Sequence, residues 1–292
     1  MSQESHLARA EALIEALPYI QEYRGKTVVI KYGGSAMEDD HIVERMLRDV
    51  VFLEAVGINP VVIHGGGKAI TVKMRDAGLK AQFVNGLRVT NAQAIGIVEE
   101  ILDNEINPKI VATLNELGGK AVGISGKTII KAEKLPPQSE GKSAAIDLGF
   151  VGEVVGLNLA AVQKALAEEK TPVISPIGQD EKGVSLNVNA DIAAGAIAGA
   201  LKASKLIYLS DVLGIMRDPH EKDSLIPSVT VEMVETLIED EVIEGGMIPK
   251  VQSAVAALSQ GVGKVHFIDG RIPHSVLLEI FTNSGVGTEI VG

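Results

Sequence analysis

Cysteine and tryptophan are both absent from the 292 residues. Without cysteine there is no disulfide, no thiol nucleophile, no iron–sulfur cluster and no thiolate zinc site. Aromatic residues make up 3 % of the chain, four Tyr and five Phe. The core must therefore be aliphatic, and stacking platforms for single-stranded nucleic acid are lacking. Positive charge is scarce too: 27 Lys and Arg against 38 Asp and Glu leave a net charge of −11. A duplex-binding surface needs the reverse balance, so no nucleic-acid partner is expected. Phosphates can still be held, but only by a local cluster of cations and backbone N–H groups. Long apolar runs are also missing. The most apolar stretch, 192–201, has ten residues, far short of the roughly 20 that cross a bilayer. The opening MSQESHLARAEALIEAL carries acids and no continuous apolar stretch. Neither a signal peptide nor a membrane partner is expected, and the lack of cysteine fits a soluble cytoplasmic protein.

Familiar motifs are lacking as well. A P-loop needs a glycine five residues before its Gly-Lys-Ser/Thr; Gly126-Lys127-Thr128 has Ala121 there and Gly141-Lys142-Ser143 has Pro136. The dinucleotide pattern G-x-G-x-x-G fails because the triple glycine continues as Lys68-Ala69-Ile70. No HExxH is present among the six histidines, and no protein-held metal is expected.

Apolar residues make up 46 % and charged residues 22 %, which are globular values. The length suggests about two domains or lobes. Leu7, Ala10, Ile14 and Leu17 share one helical face, which Pro18 is expected to end or kink, with 19–24 open as a continuation of the same helix. That first helix either caps its own core or forms an oligomeric arm. Short β-branched runs then alternate with helical stretches. Val28-Val29-Ile30-Lys31-Tyr32 stops at Gly33-Gly34, and a helix follows at about 39–56. Pro60-Val61-Val62-Ile63-His64 stops at Gly65-Gly66-Gly67, with 68–77 helical. Further runs lie at 121–124, 171–174, 205–209 and 264–268. Continuous apolar strands between helices imply a parallel sheet buried on both faces, hence an α/β fold. The polar 129–153 stretch reads as hairpins or a flap.

In an open α/β sheet, ligands sit beyond the carboxyl ends of strands, where both glycine turns and Ser210-Asp211 fall. Glycine lets successive N–H groups cradle an anion, and each turn is expected to lead into a helix N-terminus that favours phosphate. Lys31 lies inside an apolar strand, where an ammonium must either reach a partner or ligand or snorkel to water. Lys250 follows Pro249 near the start of a helix at 251–258, where the dipole disfavours it unless an anion is present. Asp191 precedes the small-residue helix 192–201; it is either a first-turn acid or a charge that holds two lysines. Arg88, beside Asn85-Gly86, suits bidentate carboxylate recognition or lies on the surface.

Six segments together resemble the amino acid kinase family: Lys31-Tyr32-Gly33-Gly34, His64-Gly65-Gly66-Gly67, Asn85-Gly86-Leu87-Arg88-Val89-Thr90, Asn187-Val188-Asn189-Ala190-Asp191, Ser210-Asp211-Val212-Leu213-Gly214 and Gly245-Gly246-Met247-Ile248-Pro249-Lys250. They occur in the family's order, from 28 almost to the C-terminus, and are most similar to its N-acetylglutamate-phosphorylating members. The resemblance implies a three-layer α/β/α sandwich in two lobes around a mainly parallel sheet. It implies an oligomerisation helix at 1–24, an acceptor and dimerisation lobe at 25–200, and a nucleotide lobe at 201–292. The implied reaction is MgATP plus N-acetyl-L-glutamate to ADP plus N-acetyl-L-glutamyl 5-phosphate, within arginine biosynthesis. Lys31 and Lys250 would neutralise the phosphoryl group in transit, with Asp191 organising both. Gly34 and Gly66 would donate N–H groups to phosphate. Gly66, Gly67, Arg88 and Asn187 would hold the acceptor. Gly33, Gly34, Ser210, Asp211 and Met247 would lie along the nucleotide, with Mg²⁺ carried mainly on ATP.

Two features resemble the arginine-inhibited, hexameric members of the family: the helix before Lys26, and the segment His274-Ser275-Val276-Leu277-Leu278-Glu279-Ile280-Phe281-Thr282 with Gly285-Val286-Gly287-Thr288. By that resemblance Glu279 would pair with an arginine guanidinium, with Tyr23, His266, Gly285 and Gly287 around it, in a trimer of dimers. Docking of a nitrogen-signalling protein is left open. The competing readings are a family member with glutamate, carbamate or uridylate as acceptor, and a non-catalytic sensor on the same fold. Both lysines with Asp191 speak against a sensor.

Overall fold

The β-branched runs pair into one twisted sheet in the computed structural model, which describes residues 3–37, 39–139, 145–282 and 285–292. The Gly141-Lys142-Ser143 triplet and part of the expected flap lie outside the described residues. In chain order the strands are β1 (Thr27–Tyr32), β2 (Asn59–His64), β3 (Phe83–Val84), β4 (Leu87–Arg88), β5 (Ala121–Ile124), β6 (Ile130–Lys134), β7 (Val151–Leu157), β8 (Thr171–Ile174), β9 (Ile177–Gln179), β10 (Ser185–Val188), β11 (Lys205–Ser210), β12 (Ser228–Thr230), β13 (Lys264–Asp269) and β14 (Thr288–Val291). The helices are α1 (Gln3–Tyr23), α2 (Asp40–Ala55), α3 (Gly67–Asp76), α4 (Ala92–Glu99), α5 (Asn107–Glu116), α6 (Ala160–Ala167), α7 (Ala190–Leu201), α8 (Val231–Glu239), α9 (Met247–Ser259) and α10 (Ser275–Ile280).

Among the described residues the main sheet has eight strands in the order β12-β14-β13-β11-β1-β2-β8-β5. Six of them run parallel, and β14 joins β13 antiparallel. Strand β1 lies at the centre, paired with β2 on one side and β11 on the other. Its side chains alternate between two cores, as the period of two demands. Val28, Ile30 and Tyr32 face α2, α5 and α10, while Val29 faces α7 and α9. The fold is therefore a three-layer α/β/α sandwich. The same alternation turns Lys31 toward α7 and α9, the two helices that carry Asp191 and Lys250.

The polar stretch after 129 forms an antiparallel β6–β7 pair, which closes a small barrel with β9 and β10. The first helix continues past Pro18 to Tyr23, the alternative in which 19–24 extend it. One expectation is corrected. The glycine pair after β1 opens only a single 3₁₀ turn, Gly34–Met37, and α2 starts at Asp40, capped by the Asp39 carboxylate. Only the second glycine turn leads directly into an α-helix.

Candidate active site

Parallel pairing of β1 with β2 sets Tyr32 beside His64, so the two glycine turns leave the sheet side by side. The Gly65 amide donates to the Tyr32 carbonyl at 2.6 Å. A Cβ on Gly33 would lie 2.8 Å from Lys31 Nζ, so a side chain there would displace the ammonium. Gly34 adopts φ +72°, with open space around the position of a Cβ. A Cβ on Gly66 would lie 2.7 Å from Leu102 Cδ2 and 2.9 Å from Ile106 Cδ1. Glycine is required there by packing rather than by φ. Gly67 opens α3.

Three charges converge beyond these turns. Lys31 Nζ lies 2.9 Å from Asp191 Oδ1, and Lys250 Nζ donates to Asp191 Oδ2 at 2.6 Å. Helix α7 can approach α9 closely because it is built of small residues; Gly195 and Gly199 leave room for Ser253 and Gln260. That approach brings Lys250 to Asp191. The Asp191 backbone is held at both ends: its amide by the Asn189 side chain at 2.8 Å, its carbonyl by Ser253 Oγ at 2.9 Å and Tyr208 at 3.2 Å. Burial pushes the Asp191 carboxyl up, but the two ammonium groups outweigh it and hold the value down at about 2. Burial and Lys250 hold the Lys31 ammonium below its usual value, with Asp191 pulling the other way. Two cations against one anion leave a net charge of +1 facing the cleft, suited to an anion.

The cleft has a volume of about 750 Å³ and is bordered by Lys31, Gly34, Gly66, Gly67, Arg88, Asn187, Asp191 and Lys250. Arg88 is 6 % exposed. Its Nη2 donates to the Gly67 carbonyl at 2.6 Å and to Thr71 Oγ1 at 2.7 Å, and the Phe83 ring covers it at 4.6 Å. Burial lowers the guanidinium's affinity for its proton. Asn187 Nδ2 donates to Thr90 Oγ1 at 3.1 Å. Gly33, Ser210, Asp211 and Met247 do not border this cleft. Ser210 ends β11, the Asp211 carbonyl accepts from Arg271 at 2.6 Å, and Met247 begins α9. Leu102 and Ile106, the wall behind Gly66, escaped the sequence reading. They sit in a π-helical run, Glu100–Ile106, whose register no apolar period announces.

Residues 26–269 match the model of the amino acid kinase family. The chain belongs to that family. It is 52 % identical to the acetylglutamate kinase of Akkermansia muciniphila over 287 residues, which cover 98 % of this chain and 96 % of the relative. A solved N-acetylglutamate synthase from Neisseria gonorrhoeae, in complex with coenzyme A and N-acetyl-glutamate, superposes with a TM-score of 0.83 at 26 % identity. That match covers 97 % of this chain and 63 % of the longer synthase chain. The same synthase in complex with coenzyme A and L-arginine superposes with a TM-score of 0.81 at 25 % identity, over 97 % of this chain and 65 % of that one. The protein is thus an enzyme, a kinase with acetylglutamate kinases among its relatives.

A second polar cluster in this amino acid kinase family member lies at the opposite end of the parallel strands. Glu279 on α10 is 6 % exposed, so it is not a solvated helix acid. Its Oε1 meets His266 Nδ1 at 2.7 Å, and Oε2 accepts from the Val286 amide at 2.7 Å. His266 Nε2 lies 2.9 Å from Lys205 Nζ, and that ammonium sits 5.3 Å from the centre of the Tyr23 ring. A side chain on Gly285 would strike the Glu279 carboxylate, and one on Gly287 the Phe267 carbonyl. Burial opposes ionisation of Glu279, but the His266 hydrogen bond and the Val286 amide outweigh it and hold the carboxyl below its usual value. Burial, with Lys205 nearby, pushes the His266 imidazole below its usual value, against the pull of Glu279. The structure thus gathers Tyr23, His266, Glu279 and Gly285 and adds Lys205, which the sequence did not single out.

Proposed function

We propose that the enzyme transfers the γ-phosphoryl group of ATP to the 5-carboxylate of N-acetyl-L-glutamate, in arginine biosynthesis. The Lys31–Asp191–Lys250 constellation facing the cleft carries this reading. A carboxylate has a reference pKa of about 4.3, so the acceptor is ionised at neutral pH and needs no general base. One carboxylate oxygen forms a bond to phosphorus, the bond to the ADP oxygen breaks, and no proton moves. The protein's part is in-line positioning and charge stabilisation. Lys31 and Lys250 would flank the phosphoryl group, and the Gly34 and Gly66 amides would face its oxygens. Gly66, Gly67, Arg88 and Asn187 would hold the acceptor within lobe 25–200. Ser210, Asp211 and Met247, in lobe 201–292, would lie along the nucleotide. Support for the last point is that Tyr208 pairs with Lys31, so Ser210 is level with Gly33 on the sheet edge. The ammonium groups and glycine turns facing the cleft suit the phosphates of a nucleotide that brings Mg²⁺ with it. Mg²⁺ so bound would neutralise phosphate charge.

L-arginine inhibition is the second half of the proposal, with the Tyr23, His266, Glu279, Gly285 and Gly287 region as its site. The buried, ionised Glu279 supports it, because a guanidinium is matched by a carboxylate. A hexamer built through α1 is supported by the exposed Leu7, Leu13, Ile14 and Leu17. Among the described residues no helix is long and apolar enough to cross a membrane, and a cytoplasmic location is part of the proposal. The test is acyl-phosphate formation trapped as hydroxamate, with N-acetyl-L-glutamate and L-glutamate side by side, with and without L-arginine. Turnover of the acetylated substrate alone, suppressed by arginine, is the expected result. Turnover of L-glutamate instead, or of carbamate or uridylate in a parallel ADP-release assay, would overturn the acceptor.

A further inference from the structure

His64 heads the triple-glycine turn yet has no part in the chemistry above. It is fully buried at the end of β2, and both of its ring nitrogens are engaged. Asn107 Nδ2, at the start of α5, lies 2.9 Å from the Val173 carbonyl oxygen and 3.2 Å from His64 Nε2. A carbonyl oxygen only accepts, so the amide group there is the donor and Nε2 must accept. The proton is then on Nδ1, which sits 2.9 Å from the Gly65 carbonyl oxygen, again an acceptor only. Both sides of the ring demand the same neutral Nδ1–H tautomer. Burial, which pushes the imidazole down to about 4, agrees with it.

The Gly65 carbonyl shares a peptide plane with the Gly66 amide. In a trans peptide the two point in opposite directions. Holding the carbonyl against His64 turns the Gly66 N–H away from the ring. A peptide flanked by two glycines has no Cβ to resist rotation, so this plane needs an external restraint. The neighbouring amide of Gly65 is already tied to Tyr32, and Gly66 is backed by Leu102 and Ile106.

We propose that His64, anchored by Asn107, is a positioning residue that locks the Gly65–Gly66 peptide plane and keeps the Gly66 amide aimed into the cleft. The inference rests on the reading that this amide serves phosphoryl transfer. His64 itself neither gives nor takes a proton in the reaction.

His64→Leu fills the space without a donor, whereas His64→Asn places an amide nitrogen near the position of Nδ1. In MgATP-dependent hydroxamate assays on the full chain, His64→Leu is expected to lose about 10–100-fold in kcat, in line with the cost of a misplaced group, with a smaller change in KM. His64→Asn should recover most of that loss. A kcat for His64→Leu within about threefold of the unaltered enzyme, or equal losses in both variants, overturns the inference. Should the leucine variant fail to fold, NMR of the unaltered protein with isotope-labelled histidine decides: an Nδ1–H resonance supports the lock and an Nε2–H tautomer refutes it. An unaltered enzyme inactive toward every acceptor tested would refute the functional reading, whereas an active one with His64→Leu at parity refutes this inference alone.

Discussion

Asp191 sits buried between two ammonium groups, and its neighbours decide its behaviour. Its folded-state pKa lies below the unfolded one, so the stability it contributes is present above about pH 4 and is lost as pH falls toward 2. Replacing it with Asn leaves Lys31 and Lys250 facing each other uncompensated. Denaturant unfolding at pH 7 should show a loss of about 3–5 kcal/mol for Asp191→Asn, as for a broken buried ion pair. Lys250→Ala removes one electrostatic donor and should lower kcat about 10²–10³-fold, a cost of roughly 3–4 kcal/mol. A change smaller than about threefold in steady-state kinetics would remove Lys250 from the mechanism. Glu279 belongs to the other cluster. Isothermal calorimetry of Glu279→Gln should show arginine binding weakened by about tenfold or more, the worth of one charge-assisted hydrogen bond.

Among the elements, the junction of α2 with α10 combines packing and titration. Asp49 on α2 is 1 % exposed and meets His274 Nδ1 at 2.6 Å, just before α10 begins. Burial pushes its carboxyl up to about 6, against the pull of His274. A folded-state value above the unfolded one means stabilisation that is full below about pH 4 and lost as pH rises through 6. Thermal melts of the unaltered chain and Asp49→Asn, compared from pH 4 to 7, should show the unaltered chain losing about 2–3 kcal/mol relative to the variant. A difference that stays flat with pH would contradict this. The π-helical run matters similarly. It sets Leu102 and Ile106 against Gly66, and Gly66→Ala must push that wall back or shift the turn.

For the whole molecule, the question is what covers α1. Its outer end shows Leu7, Leu13, Ile14 and Leu17 to solvent, while Tyr19 near its inner end meets Phe281 edge-on at 6.5 Å between ring centres. If the proposed hexamer is built through α1, deleting residues 1–24 reduces it to dimers, read as mass by light scattering. It should also abolish arginine inhibition, because Tyr23 is removed with the helix. A hexamer that survives the deletion would shift the interface elsewhere.

The alternation of β-branched runs with amphipathic stretches determined the α/β class, because a strand's burial and a helix's face are written in local periods. The order of six short motifs pointed to the family, and Lys31, Asp191 and Lys250 were all nameable from their neighbours. Local patterns contain no distances between remote segments. That β1 lies between β2 and β11, and that Lys31 therefore faces α7 and α9, followed from long-range pairing. The burial of Glu279, the arrival of Lys205 beside His266 and the π-register that places Leu102 behind Gly66 arose in the same way. The tautomer of His64 depends on an asparagine from another element and a carbonyl from a third. Such contacts exist only once the sheet is assembled, because each side chain's charge and hydrogen-bonding state is set by groups the folded chain brings to it.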